Sequence, residues 1–129
     1  MMEGDRAFFY CNGSWFASAG GMPHPSFMDR IAMLSGILEQ NPKDAFARYG
    51  LAMAYAAEGK TEEALREYAL TLEYNPDYVP AFQMSAQTLL RMGRAEEART
   101  RLRAGLAACE RTGNAHAARE MQEMLEPLG

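Results

Sequence analysis

The sequence predicts an all-α fold, an α-solenoid of stacked helical hairpins, and three observations carry that prediction. Sliding the 129-residue chain along itself by 34 positions lays Gly59-Lys60-Thr61-Glu62-Glu63-Ala64 over Gly93-Arg94-Ala95-Glu96-Glu97-Ala98. A fixed period of this length marks a repeat architecture. The same offset superposes Asn41-Pro42 on Asn75-Pro76, Leu38 on Leu72, Leu72 on Leu106, Ala47 on Ala81 and Ala52 on Ala86. Finally, Ala and Met are abundant while Ile and Val are scarce. That bias favours helix, because β-branched side chains lose rotamer freedom there and Ala loses none.

Taken in order, residues 1–27 show no helical period and carry four Gly, two Pro and the aromatics Phe8, Phe9, Tyr10, Trp15 and Phe16. They read as an irregular extension ahead of a repeat domain over 28–129. The preferred reading takes Met28, or Met22, as the natural start. The alternative is an arm that docks into a groove through Phe8, Phe9, Trp15 and Phe16. Ser26 to Gln40 predicts a helix that stands as the second half of a preceding repeat, with Ile31, Leu34, Ile37 and Leu38 on one face.

The first full unit, 45–78, opens at Asp44, a residue whose carboxylate can cap a helix. Its apolar positions Ala47, Leu51, Ala52 and Tyr55 recur near 3.6, and Gly59 supplies a left-handed stop. Thr61 is expected to cap the second helix, with Glu62 and Glu63 at the positive end of its dipole. Ala64, Leu65, Tyr68, Thr71 and Leu72 form the buried face, and Asn75-Pro76 ends the helix because a residue before proline avoids helical geometry. The second unit, 79–112, follows the same plan with Phe82, Ala86 and Leu89, then Gly93, then Ala98, Leu102 and Leu106. Gly113 stops it, and Asn114 can cap a closing helix over about 114–126. That helix carries Ala118, Met121, Met124 and Leu125 on one face and Arg119, Glu120, Glu123 and Glu126 on the other. A polar outer face suits a terminal cap.

Small residues recur where paired helices must approach: Ala52, Ala64, Ala86, Ala98 and Gly105. Tyr55, Tyr68, Phe82 and Leu102 fill the volume between them, since facing large and small side chains reach interior packing density. These are core positions.

The residues Leu51, Tyr55, Gly59, Ala64, Tyr68 and Pro76, with Phe82, Gly93, Ala98 and Leu106, make the chain resemble the tetratricopeptide repeat (TPR) family of 34-residue helical hairpins. The segment from Met28 onward is also similar to short bacterial repeat proteins of unassigned function, through Asp44-Ala45-Phe46-Ala47-Arg48-Tyr49-Gly50-Leu51-Ala52 and Gly113-Asn114-Ala115-His116-Ala117. The resemblance implies about two full TPR hairpins plus flanking N-terminal and C-terminal helices. Arg48 departs from the pattern where a large apolar residue is usual, Ser85 stands for Leu, and Glu110 stands for Pro. The last departure predicts that the fourth hairpin helix runs on toward Arg111.

The resemblance further implies a concave peptide-binding surface lined by the first helix of each unit. Carried onto this sequence it comprises Phe46, Tyr49, Met53 and Ala56, then Pro80, Gln83, Gln87, Leu90 and Arg91. Tyr and Met suit an adaptable peptide surface. The Lys and Asn with which some family members hold a C-terminal carboxylate are replaced by Tyr49, Met53, Gln83 and Gln87, so tail binding of that kind is not expected.

Other functions find less support in the sequence. A net charge of -4 argues against nucleic acid. Between Arg91 and Arg111, six Arg are interleaved with Glu96, Glu97 and Glu110, which reads as a solvated helix face. Cys11, Cys109, His24 and His116 are too scattered for a disulfide framework or metal spacing, and free thiols fit a reducing, cytoplasmic compartment. No stretch approaches the ~20 apolar residues that span a bilayer. Glu3 and Asp5 outnumber Arg6, and Asn12-Gly13-Ser14 interrupts the apolar segment before Ala17-Ser18-Ala19, so an export signal is not expected. There is no phosphate loop, nucleophile with a base, or cofactor motif. The expectation is a non-enzymatic module without cofactor or metal that binds an unknown protein or peptide partner, neither nucleic acid nor membrane. The alternative is a homodimer joined through Met121 and Met124 of the closing helix.

Overall fold

The computed structural model describes residues 26–129, so the readings placed on the first 25 residues lie outside the described residues. Six helices follow in order: α1 (Phe27–Gln40), α2 (Ala45–Ala57), α3 (Thr61–Tyr74), α4 (Val79–Arg91), α5 (Ala95–Thr112) and α6 (Ala115–Leu125). A single 3-10 turn, Glu126–Leu128, closes the chain, tied to α5 by Arg99, which donates to the Leu128 carbonyl. Each helix packs on the next, and α6 also touches α4. The first helices α2, α4 and α6 therefore form one layer and the second helices α1, α3 and α5 the other.

The helix ends follow local chemistry. Ser26 caps α1 through a reciprocal box, its hydroxyl accepting from Asp29 N at 3.1 Å while Asp29 accepts from Ser26 N at 3.3 Å. Asp44 accepts from Ala47 N at 3.0 Å, and Asn114 from Ala117 N at 3.0 Å, so both predicted caps form. Gly113 ends α5 with φ 72°, after a helix that reaches Thr112 as the missing proline predicts. Thr61 is a correction. It is the first helical residue of α3, and Lys60 stands at the cap without a side-chain bond. The Glu62 and Glu63 charges in the first turn are left to favour that terminus.

Three apolar clusters succeed one another along the stack. Leu38, Ala47 and Leu51 join α1 to α2, with Ile31, Leu34 and Tyr55 against them. Ile37 does not share that face. It is 42 % exposed, because one position before Leu38 turns it about 100° away from the seam. Ala52, Ala64, Tyr68 and Ala81 join α2, α3 and α4. The largest cluster spans α4 to α6, with Phe82, Ala86, Leu102, Cys109 and Met121 at its heart.

The two units solve one packing problem differently. Where α3 carries Tyr68 and Thr71, α5 carries Leu102 and Gly105. The space this frees is filled by Met121, which is fully buried. Met121 therefore cannot supply the dimer contact expected from the sequence; its methyl and sulfur lie inside the α4–α6 core. A second difference concerns Arg48. Its Nη1 donates to Glu67 Oε1 at 2.9 Å and its Nη2 to the Pro42 carbonyl at 2.7 Å, with the guanidinium 5.5 Å from the Tyr74 ring centre. The charged residue that replaces the usual apolar one is thus held between α2 and α3 by an acid on the facing helix.

A Cβ at Gly105 would stand 2.6 Å from Met121 Sδ and 2.8 Å from Phe82 Cβ, whereas one at Gly36 meets nothing within 4 Å. Gly105→Ala is expected to destabilise the chain by about 1–2 kcal/mol, since overpacking outweighs the gain in helix propensity. Gly36→Ala should stabilise by roughly 0.5–1 kcal/mol. Urea unfolding of the two variants checks the opposite signs.

Tyr68 gives a pH prediction. Its hydroxyl is buried without a partner, and burial, then Tyr49, push its pKa up to about 12 against the pull of Arg91. The folded state therefore favours the protonated phenol. This contribution is whole below the unfolded value of about 10 and is lost as pH rises from there through the folded value. Unfolding of wild type and Tyr68→Phe at about pH 8 and about pH 11 should show the larger drop in wild type.

Candidate functional site

Asp44 fixes where α2 begins, and the helix then turns Ala47, Leu51, Ala52 and Ala54 into the core. Residues 46, 49 and 53 fall on the opposite stripe, spaced by three and four. Phe46 is 74 % exposed and Met53 40 %. Tyr49 lies lower on the same stripe, half-buried, its ring centre 5.1 Å from that of Tyr78 and 6.0 Å from that of Tyr68. Ala56 packs beside this aromatic group.

On α4, Pro80 and Arg91 are exposed at the two ends, and Gln83, Gln87 and Leu90 are half-buried between them. The Gln83 amide donates to Glu120 Oε1 at 3.0 Å, which links α4 to α6. His116 Nε2 lies 3.2 Å from the other oxygen of that carboxylate. The predicted α2 residues thus share one stripe, and those of α4 lie on the neighbouring first helix. Gln83 is already occupied by a neighbour, while Phe46 and Met53 meet water.

Sequence reasoning missed three members of this surface. Tyr78 precedes α4 and was read only as the end of a unit, yet its ring packs against Tyr49. Tyr68 was assigned to the core alone, although the charges that act on its hydroxyl are those of Tyr49 and Arg91. Glu120 was read as part of a polar outer face, yet it turns to α4. Treating α6 as a third first helix would have found Glu120, because it places that helix in the same layer.

The electrostatics suit neutral binding. Burial, and then Tyr78, raise the Tyr49 pKa; burial, and then Asp44, raise that of Tyr78. The three phenols therefore stay protonated at neutral pH. Cys109 is buried and its thiol is pushed up by burial, the opposite of an activated thiolate. Among the described residues, no group of three or more His, Cys, Asp and Glu is placed to hold a metal ion.

Comparison with known proteins agrees with this architecture. Residues 31–84 and 56–121 match the sequence profile of the tetratricopeptide repeat. Over 77 residues the chain is 32 % identical to a TPR repeat-containing thioredoxin, TTL4, of Arabidopsis thaliana; the match covers 60 % of this chain and 11 % of that protein. The TPR2B-domain:pHsp70 complex of yeast Sti1 superposes with a TM-score of 0.74 at 20 % identity, over 79 % of this chain and 82 % of that one. PcrH, solved in complex with the chaperone binding region of PopD, superposes with 0.74 at 18 % identity, over 79 % and 77 %. A tetratricopeptide repeat domain protein from Salinibacter ruber gives 0.64 at 24 % identity, over 68 % and 89 %. With two overlapping profile matches across six helices of this arrangement, the chain belongs to the tetratricopeptide repeat family.

Proposed function

We propose that this chain is a non-catalytic protein-interaction module that holds a peptide or short helix of a partner on the face formed by α2 and α4. The observation that carries this reading is the stripe of Phe46, Tyr49 and Met53. Two large apolar side chains stand in water there, on a helix whose other face already supplies its share of the core. Fully burying one such side chain on binding is worth about 1.5–3 kcal/mol. The aromatic group beneath gives the stripe a rigid floor, and Gln87 offers an amide beside it. The TPR2B domain of Sti1 and PcrH, both solved with a polypeptide partner, support a binding role for this fold. TPR hairpins generally serve as interaction modules rather than enzymes, which supports this reading. The reading includes a reducing, cytoplasmic setting, in keeping with the free buried thiol of Cys109.

Self-association is a second reading, and α1 favours it. Met28 is 67 % exposed, Met33 56 % and Ile37 42 %. That contact would involve α1 in place of the closing helix.

Both readings predict measurable outcomes. Phe46→Glu/Met53→Glu alters only exposed or partly exposed side chains, so the fold should survive by circular dichroism. Affinity capture from native lysate should then lose a partner that wild type retains; equal retention by the folded variant would rule out this face. For the second reading, sedimentation velocity should give a mass that rises with concentration in wild type and stays monomeric in Met33→Glu/Ile37→Glu. A wild-type mass independent of concentration would remove the homodimer.

A further inference from the structure

The 34-residue period exposes an imbalance on the second-helix layer. Arg48 and Glu67, which pair across α2 and α3 at 2.9 Å, correspond to Phe82 and Arg101 in the second unit. Both members of the pair have changed. The base has become a ring inside the core, and the acid has become a second base. Arg101 is half-buried, yet it makes no hydrogen bond or ion pair with any described residue. Burial disfavours its charged form and lowers its pKa, and the charge of Glu97 restores only part of the loss.

Arg101 lines a cavity of about 470 Å³ between α3 and α5, over Leu65 and Leu89. Arg66, Arg94, Glu62 and Glu97 share the wall. The two carboxylates are already engaged by one guanidinium. Arg94 donates to Glu97 at 2.8 and 2.6 Å and to Glu62 at 3.0 Å. Arg66, like Arg101, makes no hydrogen bond with a described residue. Three guanidiniums against two carboxylates leave the cavity one positive charge in excess, on a residue whose donors form a fork suited to a carboxylate. In the first unit Glu67 provides that carboxylate at hydrogen-bonding distance; in the second no described residue does.

We propose that this cavity is a carboxylate-binding site that takes an aspartate or glutamate side chain of an acidic partner peptide. Charge complementarity selects the occupant: one excess positive charge calls for one negative, and a planar two-oxygen anion matches the Arg101 fork. The site lies between second helices, away from the α2/α4 face, and stands whether or not that face binds a partner. It gives the chain a second contact surface, polar where the first is apolar.

The test uses the full chain labelled with nitrogen-15, following the arginine Nε–H resonances at constant ionic strength. Arg101→Met, which keeps the apolar stem, identifies the Arg101 signal by its loss. Titration with a capped hexaglutamate peptide should shift that signal saturably, while capped hexaglutamine should not. Acetate should move the same signal more weakly. In Arg101→Met, affinity for hexaglutamate should fall by about tenfold or more, the effect of losing one charge-assisted forked contact. Thermal stability without peptide should be unchanged or higher, because a half-buried charge whose desolvation Glu97 only partly offsets has been removed.

Several results would overturn the proposal. A shift with inorganic phosphate and none with hexaglutamate would show the wrong anion class. No shift with any anion would show that Arg101 is simply hydrated. Undiminished hexaglutamate binding by Arg101→Met would reduce the effect to diffuse charge attraction. A marked loss of stability in that variant without peptide would make Arg101 a structural residue.

Discussion

Close approach of neighbouring helices is the constraint on which this structure depends. Ala52, Ala64, Ala86 and Ala98 are fully buried, and each sits where a helix presses on its neighbour. At Gly105 even a methyl group has no room. Dispersion attraction falls off within an ångström of separation, so side chains this small are what let backbones approach while Tyr68, Phe82 and Leu102 interdigitate around them. A hairpin packed in this way still has one apolar face left over, which only another hairpin can cover. The stack, its two layers and the surface on α2 and α4 all follow from that single geometric demand.

Features repeated in both units were legible in the sequence because the period supplies an internal control. Gly59 and Gly93, Asn75-Pro76, and the alanines at matched positions could each be read twice. The caps at Asp44 and Asn114 were legible for a local reason, since a short polar side chain before an apolar run has few other uses. Features found only once were harder. Ile37 lies one residue from a core leucine, and apolarity alone does not reveal which of two adjacent side chains turns inward. Met121 reads as a surface methionine on an amphipathic helix until Gly105, sixteen positions earlier, is seen to leave the space it fills. Thr61 resembles a cap, yet the backbone enters the helix one residue sooner.

The arginine-rich stretch divides on the same principle. Arg94 and Arg99 meet Glu97 and Glu96 within one turn, so counting interleaved charges describes them well. Arg101 fits that description only in part: Glu97 acts on its charge, but the carboxylate that would hydrogen-bond it would, by repeat symmetry, have come from a different helix. Within this one chain the Arg48–Glu67 pair of the first unit corresponds to Phe82 and Arg101 in the second. Removing both members of a buried ion pair is often close to neutral, whereas removing one is costly. The second unit holds Phe82 at the first position and, at the second, a half-buried cation that no described carboxylate hydrogen-bonds, which is the costly half of the exchange.

Among the described residues, the stack opens on a second helix, α1, and closes on a first helix, α6. Among these described residues, α1 rests chiefly on α2, through a cluster of three buried side chains, while α6 is locked into the largest cluster by Met121. Stability in such a stack is a sum of nearest-neighbour terms. The amide protons of α1 will therefore exchange with solvent through a local opening that leaves α4 and α5 intact, at a lower free energy than those of α4 and α5. Protection will rise from α1 toward α4 and α5. A single unfolding free energy will describe the C-terminal half better than it describes the whole.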